Sequence, residues 1–225
     1  SSKVLEMRIY LDSINPEEIK WAVENRLVYG VTMNPFLLKG VDTKKRSFIE
    51  LIMELEPLVD NEFHVQVPGI NADELVKNAL RVFSINEKKI VIKIPATEEG
   101  ILAASILKRK GVRVTLTAVT TVNQALVANQ IGVDYIAPFV TRVYELGGDG
   151  ISLIKQIASI YKLNNNSTTK IIAASIRSRE QIVRAFLAGA DAVTVKFDLL
   201  RKILKSEKTS EIVEEMNKIW SNIVF

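Results

Sequence analysis

Short apolar runs rich in Val and Ile recur along the chain, and after each one the apolar positions fall back to the three-to-four spacing of an amphipathic helix. The first four pairs are "MRIYLD" with "NPEEIKWAVEN", "LVYGVTMN" with "KKRSFIELIMELEPLV", "EFHVQV" with "NADELVKNALRVF", and "KIVIKIP" with "EEGILAASILKRKG". The last four are "VRVTLTA" with "TTVNQALVANQIG", "VDYIAPFV" with "GDGISLIKQIASIYK", "TKIIAAS" with "SREQIVRAFLAG", and "ADAVTVKF" with "DLLRKILKS". Strands such as "IVIKI" are apolar on both faces, as in a parallel sheet covered by helices. Eight such units in 225 residues predict an α/β protein, a (β/α)8 TIM barrel. An open doubly wound sheet would carry a glycine-rich loop after its first strand, and "YLDSINPEE" has no glycine.

Helix starts are marked by Asn15-Pro16-Glu17-Glu18, Asn71 with Glu74, and Ser178 with Gln181, all at capping-box spacing. A further helix follows the eighth unit over 209–225, with Ile212, Met216, Ile219 and Trp220 as its apolar positions. That tail must be covered by its own barrel or by a neighbouring subunit. The most loop-like stretch, "LNNNSTTK", is too short to divide the chain, so residues 1–225 read as one domain.

Composition narrows the chemistry. The chain is 48% hydrophobic and carries 30 basic against 26 acidic residues, a net charge of +4 with the two signs interspersed. No nucleic-acid footprint is expected, while anionic small molecules stay open. With no cysteine and one histidine, His64, the chain lacks the parts for disulfides, thiolate zinc sites, cysteine nucleophiles and histidine metal clusters. No apolar run approaches ~18 residues and "SSKVLEMRIY" lacks the apolar core of a signal peptide, which predicts a soluble cytoplasmic protein without membrane partners.

In a barrel, chemistry sits where strands end. The polar residues there are Asp12, Thr32, Asn34, Gln66, Lys93, Thr117, Arg142, Ser175, Arg177 and Lys196. Triad acyl transfer and metal hydrolysis lack their parts, and lysine remains. An amine desolvated in an apolar strand is partly neutral near pH 7 and attacks a ketone to form an iminium, an electron sink for carbon-carbon cleavage. Lys93 and Lys196 have equal credentials on pattern, and either could instead snorkel to water. Asp12 and Asn34 suit proton and hydroxyl ordering around the iminium. Two arginines and a hydroxyl at adjacent strand ends, Arg142, Arg177 and Ser175, make a phosphate clamp, although each also reads as an ordinary surface group.

The motifs "YLDS", "GVTMNP", "VIKIPATEEG", "APFVTR" and "AASIRS", in this order and spacing, resemble the transaldolase family, and within it the short group that includes fructose-6-phosphate aldolase. The resemblance runs from Met7 to the "NKIW" of the last helix. It implies a barrel, a Schiff-base lysine on the fourth strand and sugar-phosphate substrates, with no cofactor or metal. It thereby selects Lys93 over Lys196. It further implies that Asp12 transfers protons, Asn34 holds substrate, Thr117 helps place the catalytic water, Thr32 lines the pocket, and Arg142, Ser175 and Arg177 hold phosphate. Homo-oligomers of five or ten subunits are implied as well, and the apolar positions of the last helix, residues 209–225, are expected to place it at a subunit interface.

Several positions depart from the family pattern. Gln66 stands where transaldolases carry a glutamate that works with the catalytic water, which is the aldolase-like choice, as is Ala137 in place of serine. Phe139 replaces the aldolase tyrosine and resembles the transaldolases. Met33 and Phe36 are expected to narrow or dry the pocket mouth. The expectation is a transaldolase moving a dihydroxyacetone unit from fructose 6-phosphate to an aldose phosphate. The alternatives are an aldolase releasing dihydroxyacetone and glyceraldehyde 3-phosphate, a Schiff-base aldolase for another ketone, and a non-catalytic sugar-phosphate binder.

Overall fold

The structure is a computed structural model describing residues 7–42 and 44–225. The expectation about a signal peptide falls mostly on residues 1–6, outside those described. Among the described residues no helix is long and apolar enough to cross a membrane.

Eight parallel strands close in sequence order: β1 (Arg8–Asp12), β2 (Gly30–Met33), β3 (Glu62–Gln66), β4 (Ile90–Pro95), β5 (Val114–Val119), β6 (Tyr135–Pro138), β7 (Lys170–Ala173) and β8 (Ala192–Val195). Around them run α1 (Pro16–Glu24), α2 (Phe48–Leu55), α3 (Ala72–Phe83), α4 (Glu98–Arg109), α5 (Val122–Ile131), α6 (Val140–Glu145), α7 (Gly150–Leu163), α8 (Arg179–Leu187) and α9 (Phe197–Ile203). The extra helix α10 (Glu207–Trp220) follows. The (β/α)8 barrel is therefore present with every strand in its expected place. The short helix α6, directly after β6, went unread because six residues give no periodicity to detect.

The capping motifs form differently from their expected boxes. Asn15, Asn71 and Ser178 all accept backbone N–H bonds from the first turn of their helices. The return arms reach elsewhere: Glu18 accepts from Ser13 Oγ, Glu74 from the Ile70 N–H, and Gln181 from the Arg177 N–H. Complete capping boxes occur at Ser47/Glu50 and Thr121/Gln124. The return arm of Gln181 serves the site, because it fixes the backbone of a candidate phosphate ligand.

Alternation in the strands gives the barrel an unusually polar interior. Outward residues such as Leu11, Val31, Phe63, Ile92, Ile94 and Leu116 are fully buried under the helices. Low in the interior, the edges of the Tyr10 and Tyr135 rings meet His64, with centroids 5.1 and 4.9 Å apart. Both phenols and His64 Nε2 converge on the buried Glu62 carboxylate, and Thr115 Oγ1 lies 2.8 Å from His64 Nδ1. Gly30, beside Tyr10 in the register, has no room for a side chain, since a Cβ would lie 2.2 Å from the Glu62 carbonyl oxygen.

None of the residues of α10 is buried, and Ile212, Met216, Ile219 and Trp220 are all exposed. The helix is not covered by its own barrel.

Candidate active site

Strand β4 is a run of β-branched residues buried on both faces, and its alternation turns Val91 and Lys93 inward. Val91 packs in the Tyr10–Tyr135 layer, so Lys93, two residues further on, stands one layer nearer the C-terminal mouth. There the strand gives way to α4, whose start packs tightly on it: a Cβ at Gly100 would lie 1.8 Å from the Pro95 carbonyl oxygen. The glycine of "PATEEG" lets the helix seat against the strand that carries the lysine. Lys93 is 3% exposed. Burial pushes its amine well below the usual lysine range, opposed by the charge of Asp12. Lys196 is exposed and precedes α9 as its N-cap residue, so the two lysines that pattern ranked equally differ sharply in solvation.

A cavity of about 430 Å3 opens above Lys93 at the C-terminal ends of the strands. Asp12, Asn34, Phe139, Arg142, Ser175 and Arg177 line it together with Lys93, a convergence that links residues 165 positions apart from Asp12 to Arg177. Burial raises the Asp12 carboxyl, while Lys93, a hydrogen bond from Thr32 and Lys196 pull it back. The Thr32 hydroxyl lies 3.0 Å from Asp12 Oδ1 and 2.6 Å from Thr194 Oγ1. Thr32 thus stands behind Asp12 and is not among the residues lining this cavity, contrary to its expected place. Thr194, which does line it, extends the hydroxyl pair to the wall.

Gln66 and Thr117 also lie off the cavity lining, flanking the lysine strand instead. Gln66 pairs with Lys93 in the β3–β4 register, and Thr117 pairs with Pro95 across β5. Thr117 is buried and its Oγ1 has no hydrogen-bond partner among the described residues. The chain bulges there: the register with β6 slips between Thr117 and Val119, and Ala118 adopts a left-handed φ of 56°.

The far wall is cationic. Arg142, on α6, and Arg177, after β7, both reach the carboxylate of Glu145. Ser175 stands between them in a left-handed conformation, φ 54°, and its carbonyl accepts the Thr141 N–H. Phe36 is 51% exposed at the mouth, with the Arg142 guanidinium and the Lys39 ammonium each 5.5 Å from its ring centroid. Met33 does not narrow the mouth as expected. It is fully buried in the outer core, because strand alternation turns it away from Thr32 and into the helices.

Sequence reasoning missed Lys39, Thr194 and Glu145. Phe36 and Lys39 are spaced by three along and just past a 3-10 turn (Pro35–Leu38), where that spacing stacks side chains, so a signal existed for Lys39. Glu145 follows Arg142 by three on α6, readable only once α6 itself is known. Among the described residues no group of three or more His, Cys, Asp and Glu side chains is arranged to hold a metal ion.

Comparison with known proteins agrees with this geometry. A family model described as Transaldolase/Fructose-6-phosphate aldolase matches residues 9–224. A probable transaldolase of Dictyoglomus turgidum is 36% identical over 217 residues, covering 96% of this chain and 99% of that protein. One from Roseiflexus castenholzii is 39% identical over 217 residues, covering 95% and 97%. Among solved structures, a thiamine phosphate pyrophosphorylase from Pyrococcus furiosus superposes with a TM-score of 0.59 at 17% identity, covering 97% of this chain and 98% of that one, a likeness of fold alone. The buried lysine on the fourth strand, the acid on the first and the matched length of the chain lead to one assignment: it belongs to the transaldolase/fructose-6-phosphate aldolase family, as an enzyme of the transaldolase/aldolase type.

Proposed function

We propose that Lys93 captures a ketose phosphate such as fructose 6-phosphate as a Schiff base and passes the three-carbon ketone fragment to an aldose phosphate. The observation that carries this is the dry amine of Lys93 at the floor of a cavity whose far wall is cationic. The neutral amine adds to the ketose C2 carbonyl, and loss of water leaves an iminium. Asp12, held by Thr32, takes the proton of the C4 hydroxyl. The C3–C4 bond then breaks, its electron pair flows into the iminium to give an enamine, and the aldehyde fragment leaves. Asn34 orders the hydroxyls of the fragment. Arg142, Arg177 and Ser175 hold the phosphate at the opposite end. Adding the enamine to the carbonyl of a second aldose phosphate completes transfer, and the resulting iminium is hydrolysed to free the product ketose from Lys93.

Water is what separates transfer from release of dihydroxyacetone. The unpartnered Thr117 hydroxyl supports its role as an anchor for a water beside the iminium. Gln66 orients such a water without exchanging a proton with it, and Phe139 offers no phenol to assist. The missing phenol slows protonation and release of the bound fragment, which favours transfer over the aldolase reading. Gln66 in the place of a transferase glutamate and Ala137 in the place of a serine stand on the aldolase side.

Borohydride reduction in the presence of fructose 6-phosphate is expected to add a three-carbon fragment to a peptide containing Lys93, read by mass spectrometry. Product analysis with and without erythrose 4-phosphate is then expected to show glyceraldehyde 3-phosphate accumulating mainly when the acceptor is present. No adduct, together with undiminished activity in Lys93→Ala, would refute the Schiff-base reading. Dihydroxyacetone accumulating at an equal rate without acceptor would establish the aldolase instead.

The chain is proposed to act as a homo-oligomer, supported by the exposed apolar residues of α10, none of which is buried. Removing residues 209–225 is expected to reduce the particle mass in light scattering to that of a smaller assembly or a monomer. An unchanged subunit number would show that α10 plays no part in assembly. A cytoplasmic setting is proposed from the family's metabolic chemistry.

A further inference from the structure

We propose that Glu145 is the positioning residue of the phosphate clamp, holding Arg142 and Arg177 side by side so that their free guanidinium edges face the cavity before substrate arrives. This rests on the reading of those two arginines as phosphate ligands.

Arg142 and Arg177 come from different strand-helix units, and each is about half exposed, so neither is fixed by packing. A long charged side chain in that state loses rotamer freedom whenever it binds, which weakens binding. The Glu145 carboxylate removes part of that cost in advance. Its Oε2 accepts from Arg142 Nη1 at 3.2 Å, and its Oε1 accepts from Arg177 Nη1. One carboxylate therefore takes one N–H of each guanidinium and leaves the remaining donors for a ligand. Hydrogen bonding from Arg177, foremost among the causes, keeps Glu145 ionised by lowering its pKa.

The backbone is built to match. Glu145 lies one turn after Arg142 on α6, and α6 is tied to the Arg177 loop at two other points. The Thr141 N–H donates to the Ser175 carbonyl at 3.0 Å. The Thr141 hydroxyl meets Gln181 Oε1 at 3.2 Å, and that same oxygen accepts the Arg177 N–H at 2.7 Å. On the other side the Arg142 guanidinium lies over the Phe36 ring. Each arginine is thus braced by Glu145 and by one further group, and Glu145 is the group they share. The carboxylate also reduces the charge of the pair from +2 to +1, so the clamp binds a phosphate dianion without the mutual repulsion of two unscreened guanidiniums.

The test is Glu145→Ala, with Glu145→Asp and Arg142→Ala for comparison. Glu145→Ala is expected to raise KM for fructose 6-phosphate about ten-fold with kcat changed by less than about two-fold, the loss of one charge-assisted contact pair. Borohydride trapping of unphosphorylated dihydroxyacetone on Lys93 is expected to proceed as in the parent protein, which separates positioning from misfolding. Glu145→Asp is expected to recover part of the lost affinity. The proposal is overturned if Glu145→Ala leaves KM unchanged while Arg142→Ala raises it, or if it lowers KM, which would make the carboxylate a competitor of phosphate. If Arg142→Ala also leaves KM unchanged, the phosphate assignment itself falls and this inference with it.

Discussion

Replacing Lys93 by methionine is expected to abolish turnover and at the same time make the protein more stable. On the activity side, the proposed mechanism uses the Lys93 amine as its covalent electron sink, so the expected loss is on the order of 10^4-fold or more. On the stability side, the side chain is 3% exposed, its pKa is pushed down by burial, and no ion pair holds it among the described residues. Methionine fills nearly the same volume without a charge to desolvate. Relief of that desolvation is expected to outweigh the lost attraction to Asp12 and to stabilise by about 1–3 kcal/mol, a rise in melting temperature of about 2–12 °C for a chain of this size. The sign of the pH dependence follows from the depressed pKa. Between the folded and unfolded pKa values of Lys93 the unfolded chain binds more protons, so the parent protein gains stability as pH rises through that window. The advantage of the methionine variant is therefore largest below the folded pKa and fades toward the ordinary lysine value of about 10.4. Thermal melts of both proteins near pH 6 and pH 9 measure it. An advantage that grows with pH, or none at either pH, would contradict a desolvated amine.

The second large effect lies beneath the site. Glu62 is 5% exposed and accepts from Tyr10 at 2.6 Å, from Tyr135 at 2.7 and 2.8 Å, from His64 at 3.1 Å and from Arg113 at 3.1 Å. Burial raises its pKa, but hydrogen bonds from His64, Tyr10 and Tyr135 outweigh burial and hold the carboxyl at about 2. Glu62→Leu strands two phenols, an imidazole and a guanidinium at once. The expected cost is about 3–5 kcal/mol, since breaking one side of a buried charged network leaves its partners uncompensated. Glu62→Gln is expected to cost less, because the amide oxygen still accepts. As the folded pKa of Glu62 is depressed, its ionic contribution is present above the unfolded value of about 4.3 and is lost as pH falls through about 2. Denaturant titrations at pH 7 and pH 3 are expected to show the gap between parent and Glu62→Leu shrinking at the lower pH. A gap that is small at pH 7 would mean that Glu62 is not the hub of the network.

The alternating strand pattern made the barrel readable, and strand-end polarity made Asp12, Asn34, Lys93, Arg142, Ser175 and Arg177 readable as one group. What pattern could not resolve was the direction in which a side chain points. Met33 and Thr32 are neighbours in β2, yet Met33 lies in the outer core and Thr32 in the interior, and only the register of the closed sheet decides which is which. The choice between Lys93 and Lys196 was a question of solvation, which depends on what covers each strand end and so on the loops. Glu62 and His64 were legible as residue types and illegible as a network, since Tyr10, Thr115 and Tyr135 reach them from other strands. Glu145 is a case of the same kind, a surface glutamate in sequence that in space joins two arginines from separate units.

The layer formed by Tyr10, His64 and Tyr135 has a consequence for traffic. It packs the interior below Lys93 with three buried rings around the Glu62 carboxylate, so the cavity that holds the amine opens toward the C-terminal ends of the strands. Any ligand seated at that mouth therefore stands between the amine and bulk water, and shields the site by its own binding.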